Sequence, residues 1–384
     1  MCCVGVTFVT TNKQTKMSSS SLPVMQTTDA PQIIEHLNKG LDFTPSDVRW
    51  IPVSARFVAV GTHARGTGAV VVHEITPGEV KKVIEIERPS GVKCITFGAA
   101  LLEQRYPAVG DYGGNLSILN LERGSSSAPV WTVRAHNSLV NCIDGCGGLN
   151  IGGGAPELVT GSRDGAVKVW DPRVTDPVVS FEPAEGVVGR DCWSVSFGNS
   201  YNDEERCVAA GYDNGDVKIF DLRMNAVRWE TNMGNGVTCV EFDRKDIEMN
   251  KLIATSLESK FRVFDVRTQH PTDGFAHCVE RAHKATVWLA RHLPQNRDVW
   301  MTSGGNGGIN VYRYHYPPRG RQDRDPDGRP KGVAGKTELV NARIFSSQPF
   351  VGFDWSPDKE GLAAAVCLDQ TLRVFIVTKL NKLN

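Results

Sequence analysis

Short runs of alternating apolar and polar residues cover most of the chain, and Gly, Asn or Asp bound each run. Runs such as "VNCIDG", "WSVSFG" and "VTCVEF" are rich in β-branched or aromatic side chains, which is typical of short strands. Each is followed by a turn and a second apolar run, such as "PELVTGS", "RCVAAGY" or "KLIATSL". The pattern predicts an all-β chain.

One longer motif repeats along the chain. The stretch "GSRDGAVKVWDPR" at 161–173 returns as "GYDNGDVKIFDLR" at 211–223 and "TSLESKFRVFDVR" at 255–267. It also returns as "GDYGGNLSILNLE" at 110–122, and fainter copies occupy 61–75, 303–315 and 367–379. The aromatic or equivalent position recurs at intervals of 44 to 63 residues, and each interval holds four strand-like runs. Seven such units predict a single seven-bladed β-propeller.

Closure of this ring requires a strand from the N-terminal part of the chain. The seventh unit ends at "LRVFIVTKLN" with no fourth strand after it, so its outer edge would stay unpaired. The segment "PQIIEHL" at 31–37 precedes the first unit. We therefore predict that the propeller spans 31–384 and that residues 31–37 supply the outer strand of the last blade.

Two segments are predicted to be disordered. Residues 1–30 have no positively charged region before their short apolar run, so they make a poor secretory signal and are interpreted as a leader. Within the propeller, the segment 317–337 is charged, rich in proline and without aromatic residues. Such a composition cannot bury enough apolar surface to order a chain, and we predict a disordered loop there.

The repeat resembles that of the WD-repeat family, and the resemblance covers essentially the whole propeller. In that family a His, a Ser or Thr, an Asp and a Trp form a hydrogen-bonded chain within a blade. Carried over to this sequence, the positions are His136, Thr160, Asp164 and Trp170. Asp164 is followed by a glycine, as a tight hairpin turn requires. Other units carry incomplete copies of this set of four residues. We interpret Asp164 as structural rather than catalytic.

A second repeated element follows in three units. It reads "WDPR" at 170–173, "FDLR" at 220–223 and "FDVR" at 264–267. One interpretation is that each Asp pairs with the Arg two positions later on the exposed rim, where an ion pair contributes little to stability. The other is that the boxes resemble the motif by which WD-repeat substrate receptors dock onto a cullin ubiquitin-ligase adaptor. The residues concerned are Asp171, Arg173, Asp221, Arg223, Asp265 and Arg267.

The innermost strands predict which residues surround the mouth of the central channel. The residue after the first buried apolar position of each strand is expected there, which gives Arg49, Lys93, Asn141, Trp193, Thr238, Trp288 and Val351. Three neighbouring turn residues are expected on the same face, namely Tyr112, Arg163 and Asp213. Because Trp and Arg dominate protein-binding hot spots, this face is a candidate for partner binding. Alternatively, Trp193 and Trp288 pack between blades.

Composition narrows the range of partners and chemistry. Lys plus Arg and Asp plus Glu both number 43, so no net charge attracts nucleic acid or an anionic membrane. The ten cysteines include no CxxC pair, and a zinc corner at Cys142, Cys146 and His136 would lack a fourth ligand. The aspartates of "DRDPDG" at 323–328 lack the closing Glu of a calcium loop. We expect no catalytic group, metal or cofactor.

Several longer stretches narrow the resemblance within the WD-repeat proteins. They are "GYDNGDVKIFDLRMNAVRWETN", "EFDRKDIEMNKLIATSLE", "AHKATVWLARHLPQNRD", "DWSPDKEGL" and "DQTLRVFIVTKLNKLN". Together they resemble the WD-repeat factors of axonemal dynein assembly. The resemblance implies a cytoplasmic, non-catalytic co-chaperone adaptor that associates with RuvB-like ATPase and prefoldin-like machinery and helps dynein heavy chains to fold. We expect a monomeric propeller, and the alternative function is that of a cullin-ligase substrate receptor.

Overall fold

A computed structural model describes residues 30–126, 128–148, 155–318 and 320–383. The part of the chain that it describes contains thirty strands and two short 3₁₀ helices, Leu121–Ser126 and Leu380–Leu383. Of these strands, twenty-eight form seven four-stranded antiparallel sheets, which are the blades of the predicted propeller. No helix within the described ranges is long and apolar enough to cross a membrane. The predicted leader, except for residue 30, lies outside the described residues.

The first strand, β1 (Ile33–Gly40), belongs to the last blade, and the next twelve strands build blades 1 to 3 from the channel outwards. Blade 1 consists of β2 (Thr44–Trp50), β3 (Arg56–Thr62), β4 (Gly68–Thr76) and β5 (Glu79–Arg88). Blade 2 consists of β6 (Val92–Thr96), β7 (Ala108–Asp111), β8 (Asn115–Ile118) and β9 (Trp131–Arg134). Blade 3 consists of β10 (Val140–Cys146), β11 (Glu157–Ser162), β12 (Val167–Trp170) and β13 (Val179–Phe181).

Blades 4 and 5 continue the same order. Blade 4 consists of β14 (Cys192–Gly198), β15 (Cys207–Tyr212), β16 (Asp216–Asp221) and β17 (Ala226–Asn232). Blade 5 consists of β18 (Val237–Phe242), β19 (Lys251–Ser256), β20 (Lys260–His270) and β21 (Gly274–Arg281).

Blades 6 and 7 depart from this regularity. Blade 6 consists of β22 (Val287–Leu293), β23 (Asn296–Gly304), β24 (Gly308–His315) and β27 (Lys336–Ile344), with the separate hairpin β25 (Gln322–Arg324) and β26 (Pro330–Gly332) inserted before its last strand. Blade 7 consists of β28 (Phe350–Trp355), β29 (Leu362–Cys367), β30 (Thr371–Val377) and β1.

The second strand of each blade is mostly apolar in its central part because both of its faces are buried there. In β29, Ala363, Ala365 and Cys367 pack in a cluster with blade 6, whereas Ala364 and Val366 pack in a cluster with blade 1. Successive side chains of a strand point to opposite faces of the sheet. Each blade is therefore held between its two neighbours, and the runs "ELVTGS", "CVAAGY" and "LAAAVC" lack the polar alternation of a half-exposed strand.

The predicted closure of the ring is confirmed. β1 pairs antiparallel with β30, and Ile33 is fully buried in the core between blades 6 and 7. Glu35 of β1 accepts a hydrogen bond of 3.0 Å from Arg373 of β30. The strand extends to residue 40, three residues beyond the predicted segment.

The segment 317–337 contains an ordered hairpin, so the predicted disordered loop is wrong there. The hairpin β25–β26 packs on the rim of blade 5. Asp325 accepts a hydrogen bond of 3.1 Å from the nearly buried His270, and Lys331 binds Asp273 at 2.6 Å. Two of the charges that suggested solvation, those of Asp325 and Lys331, instead find partners on the neighbouring blade.

Candidate functional site

Each innermost strand carries a β-bulge close to its first residue. The register slips across one extra residue in β2, β6, β10, β14, β18, β22 and β28. A bulge re-aims the side chain at the extra residue, and all seven of these residues line the central channel. They are Ser46, Lys93, Asn141, Trp193, Thr238, Trp288 and Val351. We call them the bulge ring.

Six of the seven residues predicted at the mouth belong to the bulge ring, and Arg49 does not. In blades 2 to 7 the residue before the bulge is apolar, whereas Pro45 precedes it in blade 1. The first buried apolar residue of β2 after this proline is Val48, so the sequence rule selected Arg49 instead of Ser46. Arg49 lies three residues further along β2, about 10 Å deeper, and lines the same channel.

The channel encloses a cavity of about 360 Å³. Its wall combines the bulge ring with residues one and three positions further along the innermost strands, among them Asp47, Arg49, Cys94, Cys239 and Arg291. A cavity of this size accommodates a few side chains or a small ligand. The channel can therefore receive an extended segment of a partner but not a folded domain.

Polar bulge residues in blades 1, 3 and 5 bind the next blade. Ser46 donates to the carbonyl oxygen of Val92 at 2.6 Å, and the side-chain amide of Asn141 donates to that of Cys192 at 3.0 Å. The hydroxyl of Thr238 lies 2.5 Å from the carbonyl oxygen of Val287. Each acceptor belongs to the first residue of the next innermost strand. These bonds fix the inner wall of the ring.

The bulge residues of blades 2, 4 and 6 make no such bond to any residue in the described ranges, and they are Lys93, Trp193 and Trp288. Trp288 has 38% of its surface exposed, and its indole nitrogen lies beside Gly305. Trp193 is partly buried because its ring lies against the loop before blade 5. The contact is so close that a methyl group added at Gly236 would lie 2.7 Å from the ring. Neither tryptophan belongs to the buried cores between blades. Both lie at the mouth of the channel.

The three predicted turn residues lie at the same end of the propeller. The backbone amides of Tyr112, Arg163 and Asp213 each donate to the residue that precedes an innermost strand, at 2.9, 3.3 and 2.9 Å. Tyr112 is 47% exposed. Arg163 faces Asp191 at 3.6 Å. Together with the bulge ring, these residues surround the mouth.

Sequence reasoning missed two apolar members of this surface. Leu257 and Leu368 hold the same turn position in blades 5 and 7, and their backbone amides donate to Gly236 and Pro349. Leu368 is 39% exposed, and Leu257 lines the channel. Alignment of the repeats could have identified Leu257. It is the third residue of "TSLESKFRVFDVR", and Arg163, which was predicted at the mouth, is the third residue of "GSRDGAVKVWDPR". We call the surface formed by Lys93, Tyr112, Trp193, Leu257, Trp288, Val351 and Leu368 the mouth surface.

The four residues of the predicted WD-repeat set form one hydrogen-bonded chain inside blade 3. Nδ1 of His136 lies 3.2 Å from the carboxylate of Asp164, and its Nε2 lies 2.8 Å from the hydroxyl of Thr160. The indole of Trp170 donates to the same hydroxyl at 2.9 Å. The chain links the loop before the innermost strand to the second and third strands.

The carboxylate of Asp164 is fully occupied by this role. Burial raises its pKa, but hydrogen bonds from His136 and from the backbone amides of Ala166 and Asn137 outweigh burial and lower the pKa to about 2. A general acid needs a pKa near the working pH. The geometry therefore fits a clamp on the hairpin turn and gives no support to acid–base chemistry.

Comparison with known proteins finds a matching family model and relatives that align with nearly the whole chain. A family model described as "Nucleolar protein 10-like, N-terminal domain" matches residues 93–304. Proteins named dynein axonemal assembly factor 10 are 59% identical in Xenopus laevis, 57% in Homo sapiens and 56% in Chlamydomonas reinhardtii. The alignments cover 92%, 94% and 93% of this chain, and 99%, 100% and 100% of the relatives.

The chain belongs to the dynein axonemal assembly factor 10 family. Membership confirms the resemblance that the longer stretches indicated. Each of these alignments spans more than nine-tenths of the chain, so the match extends to blades outside the range of the family model.

In this member of the dynein axonemal assembly factor 10 family, the predicted Asp–Arg ion pair occurs in one of the three boxes. Asp171 binds the guanidinium of Arg173 at 2.9 Å, and the Arg173 side chain is 73% exposed. Asp221 instead accepts the backbone amides of Arg223 and Met224, each at 2.9 Å. The prediction of a side-chain pair is wrong for this second box.

It is also wrong for the third box. Asp265 is buried, accepts the backbone amide of Arg267 at 3.1 Å, and has its pKa raised by burial. The guanidinium of Arg267 binds Glu248 at 2.7 Å. In the second and third boxes the aspartate caps a backbone turn, and a cap needs no arginine side chain.

The three residues that the sequence offered as zinc ligands, Cys142, Cys146 and His136, each contact a different partner in the structure. The thiol of Cys142 lies beside Cys192, and the guanidinium of Arg206 lies 3.3 Å from the thiol of Cys146, while His136 is engaged by Asp164 and Thr160. Across the residues that the structure describes, no group of three His, Cys, Asp or Glu side chains is placed to hold a metal ion.

Proposed function

We propose that this protein is a non-catalytic, cytoplasmic adaptor in the assembly of axonemal dynein. In this proposal it links RuvB-like ATPase and prefoldin-like co-chaperones to dynein heavy chains, which it helps to preassemble and stabilise. The name shared by the three relatives supports the dynein role, and the sequence resemblance supports the chaperone partners. The propeller itself acts as a monomer and presents a surface.

The observation that carries the proposal is the mouth surface. Trp193 and Trp288 stand on alternate blades around a channel whose other walls are fixed by hydrogen bonds between blades. Tyr112 and Leu368 extend this apolar surface at the same end, with exposed fractions of 47% and 39%. Aromatic anchors on a rigid scaffold lose little conformational entropy when a partner binds.

Capture from an extract of ciliated cells tests the proposal. The purified, tagged protein is expected to retain RuvB-like ATPase, prefoldin-like subunits and dynein heavy chains, identified by mass spectrometry. The double variant Trp193→Ala with Trp288→Ala should lose at least one of these classes while keeping its melting temperature.

Leu101→Ala is the matched control for this experiment. Leu101 is 50% exposed and lies between β6 and β7, at the opposite end of the channel, so its loss should leave capture unchanged. Unfolding of the double variant without selective loss of a partner would contradict the proposal, because the tryptophans would then serve only the fold.

A second candidate is a substrate receptor of a cullin ubiquitin ligase. The observation in its favour is the exposed guanidinium of Arg173, which Asp171 holds in place on the rim. Loss of a cullin adaptor from the captured proteins in the variant Arg173→Ala with Arg223→Ala would favour this function. Recovery of cullin components without any chaperone or dynein would overturn the adaptor proposal.

A further inference from the structure

The described wall of the channel carries an excess of positive charge. Arg49, Lys93 and Arg291 line the cavity, whereas Asp47 is the one carboxylate among the described lining residues. The chain as a whole has no net charge. The local excess therefore belongs to the channel and cannot be read from the composition.

Asp47 is already engaged and does not neutralise the other two cations. Its carboxylate accepts the backbone amides of Val48 at 2.8 Å and Ile95 at 3.3 Å, and it contacts Arg49 at 3.3 Å. Lys93 has no hydrogen-bond or ion-pair partner among the residues that the structure describes. Its ammonium group therefore stands at the mouth with no carboxylate bound to it in the described part of the chain.

The two guanidinium groups are each anchored on one side. Nη1 of Arg49 donates to the carbonyl oxygens of Val48 and Phe353 at 3.2 and 3.3 Å. Nη1 of Arg291 donates to its neighbour Ala290 at 2.9 Å and approaches the thiol of Cys239 at 3.3 Å. Within the described chain, Nη2 of neither arginine has an acceptor. A fixed guanidinium with an open edge is suited to a carboxylate, which it binds with two parallel hydrogen bonds.

The other carboxylates near these arginines are held by the fold. Glu241 lies 4.0 Å from Arg291 but accepts the backbone amide and the ring nitrogen of His292, at 2.8 and 3.1 Å. Asp354 accepts the backbone amide of Trp50 at 2.8 Å, and burial raises its pKa to about 6. Neither carboxylate lines the cavity, so neither occupies the position of a ligand there.

We propose that the channel binds carboxylate side chains of an acidic segment in the protein that docks on the mouth surface. Trp193 and Trp288 would contact the backbone and apolar groups of this segment. Lys93 at the mouth receives one of its carboxylates, and Arg49 and Arg291, each three residues beyond a bulge residue, receive others deeper in the channel. The proposal rests on the proposed function, because it names the chemistry of the partner at the same surface. The aromatic rim favours a peptide over a free anion, for which the tryptophans would have no use.

Fluorescence anisotropy with a fluorescein-labelled hexaglutamate peptide tests this inference. The full-length protein should bind the peptide, and binding should weaken as salt is raised because exposed charges are screened. Lys93→Gln should weaken binding about tenfold, the effect of one lost ion pair at a partly desolvated site. This variant should keep the wild-type melting temperature because Lys93 holds no partner in the described fold.

Two matched controls accompany this measurement. Lys336→Gln removes an exposed lysine from the outer strand of blade 6 and should leave affinity unchanged, and a hexaglutamine peptide should not bind. Failure of hexaglutamate to bind, or equal binding of hexaglutamine, would overturn the inference. Inorganic phosphate that displaced the peptide at equal concentration would also overturn it, because the channel would then be a site for small free anions.

The outcomes separate this inference from the proposed function. If hexaglutamate does not bind while the double tryptophan variant still loses its captured partners, the carboxylate site is wrong and the adaptor proposal stands. If hexaglutamate binds while the tryptophan variant keeps every partner, the channel site stands and the mouth surface is not the docking surface of the adaptor.

Discussion

The hydroxyl of Ser46 donates a 2.6 Å hydrogen bond to the carbonyl oxygen of Val92, the residue immediately before Lys93. One bulge residue thus fixes the strand that presents the next. The same arrangement joins Asn141 to the strand of Trp193, and Thr238 to the strand of Trp288. Structural and projecting side chains alternate around the ring, and the alternation ends at Val351 because the number of blades is odd.

Removal of the shared hydroxyl in blade 3 should be costly. Thr160→Val would leave His136 and Trp170 without their common partner, and each buried polar group left unpaired costs about 1–3 kcal/mol. We expect a loss of about 2–4 kcal/mol in unfolding free energy, measured by urea denaturation. Thr302→Val in blade 6 breaks only the 2.9 Å bond to His283 and should cost less. An equal or larger effect of Thr302→Val would contradict this account of the chain in blade 3.

Loss of the closing strand should destabilise the whole ring. Deletion of residues 1–40 removes β1, including the buried Ile33 and Glu35, one of the partners of Arg373, and exposes the edge of β30. We expect a lower melting temperature and more aggregation on heating. Deletion of residues 1–29, which leaves β1 intact, is the control. Equal melting temperatures for the two deletions would show that β1 does not hold the ring closed.

Acidic pH should weaken the fold through a buried histidine. Burial lowers the pKa of His283 to about 4, below its ordinary value of about 6.5. Between these two values the unfolded chain takes up a proton that the folded protein does not, so unfolding free energy falls as pH falls from 6.5 to 4. His73 acts in the same direction, since burial and then the nearby Lys39 lower its pKa to about 4.

Denaturation of His283→Gln across this range checks the sign. The variant should show a shallower loss of stability between pH 6.5 and 4 than the wild type, with the slope due to His73 remaining. A steeper loss in the variant, or identical slopes, would mean that His283 does not titrate as its burial requires.

The inserted hairpin should depend on its contact with blade 5. Asp325→Ala removes the 3.1 Å bond from His270 and the 2.7 Å bond from the backbone amide of Arg329, and should speed tryptic cleavage between 319 and 331. Asp323→Ala is the control, because in the described part of the chain the Asp323 carboxylate accepts a hydrogen bond only from the adjacent backbone amide of Arg324. Equal cleavage rates in the two variants would exclude His270 as the anchor of the hairpin.

The sequence predicted the features that depend on periodicity. Seven units, their closure by an N-terminal strand and the set around Asp164 follow from repeated strand and turn patterns. We predicted that the residue after the first buried apolar position of each innermost strand lies at the mouth of the channel. This prediction was correct wherever an apolar residue precedes the bulge, and it failed in blade 1, where Pro45 interrupts the pattern. Because Pro45 stands where the other blades have an apolar residue, the rule selected Arg49 and missed Ser46, the bulge residue of blade 1.

Features that depend on contacts between blades could not be predicted. The hairpin at 322–332 is ordered by His270 and Asp273, which lie about 50 residues earlier in the chain. Neither distance in sequence nor composition signals such pairs, because they form only when blades 5 and 6 pack side by side.

Rescue of ciliated cells that lack this protein tests the central claim most directly, with the amount of dynein heavy chain in isolated axonemes as the readout. The wild type and Leu101→Ala should restore the heavy chains, whereas the double variant Trp193→Ala with Trp288→Ala, present at the same cellular level, should not. Full restoration by the double variant would contradict the assignment of the assembly function to the mouth surface.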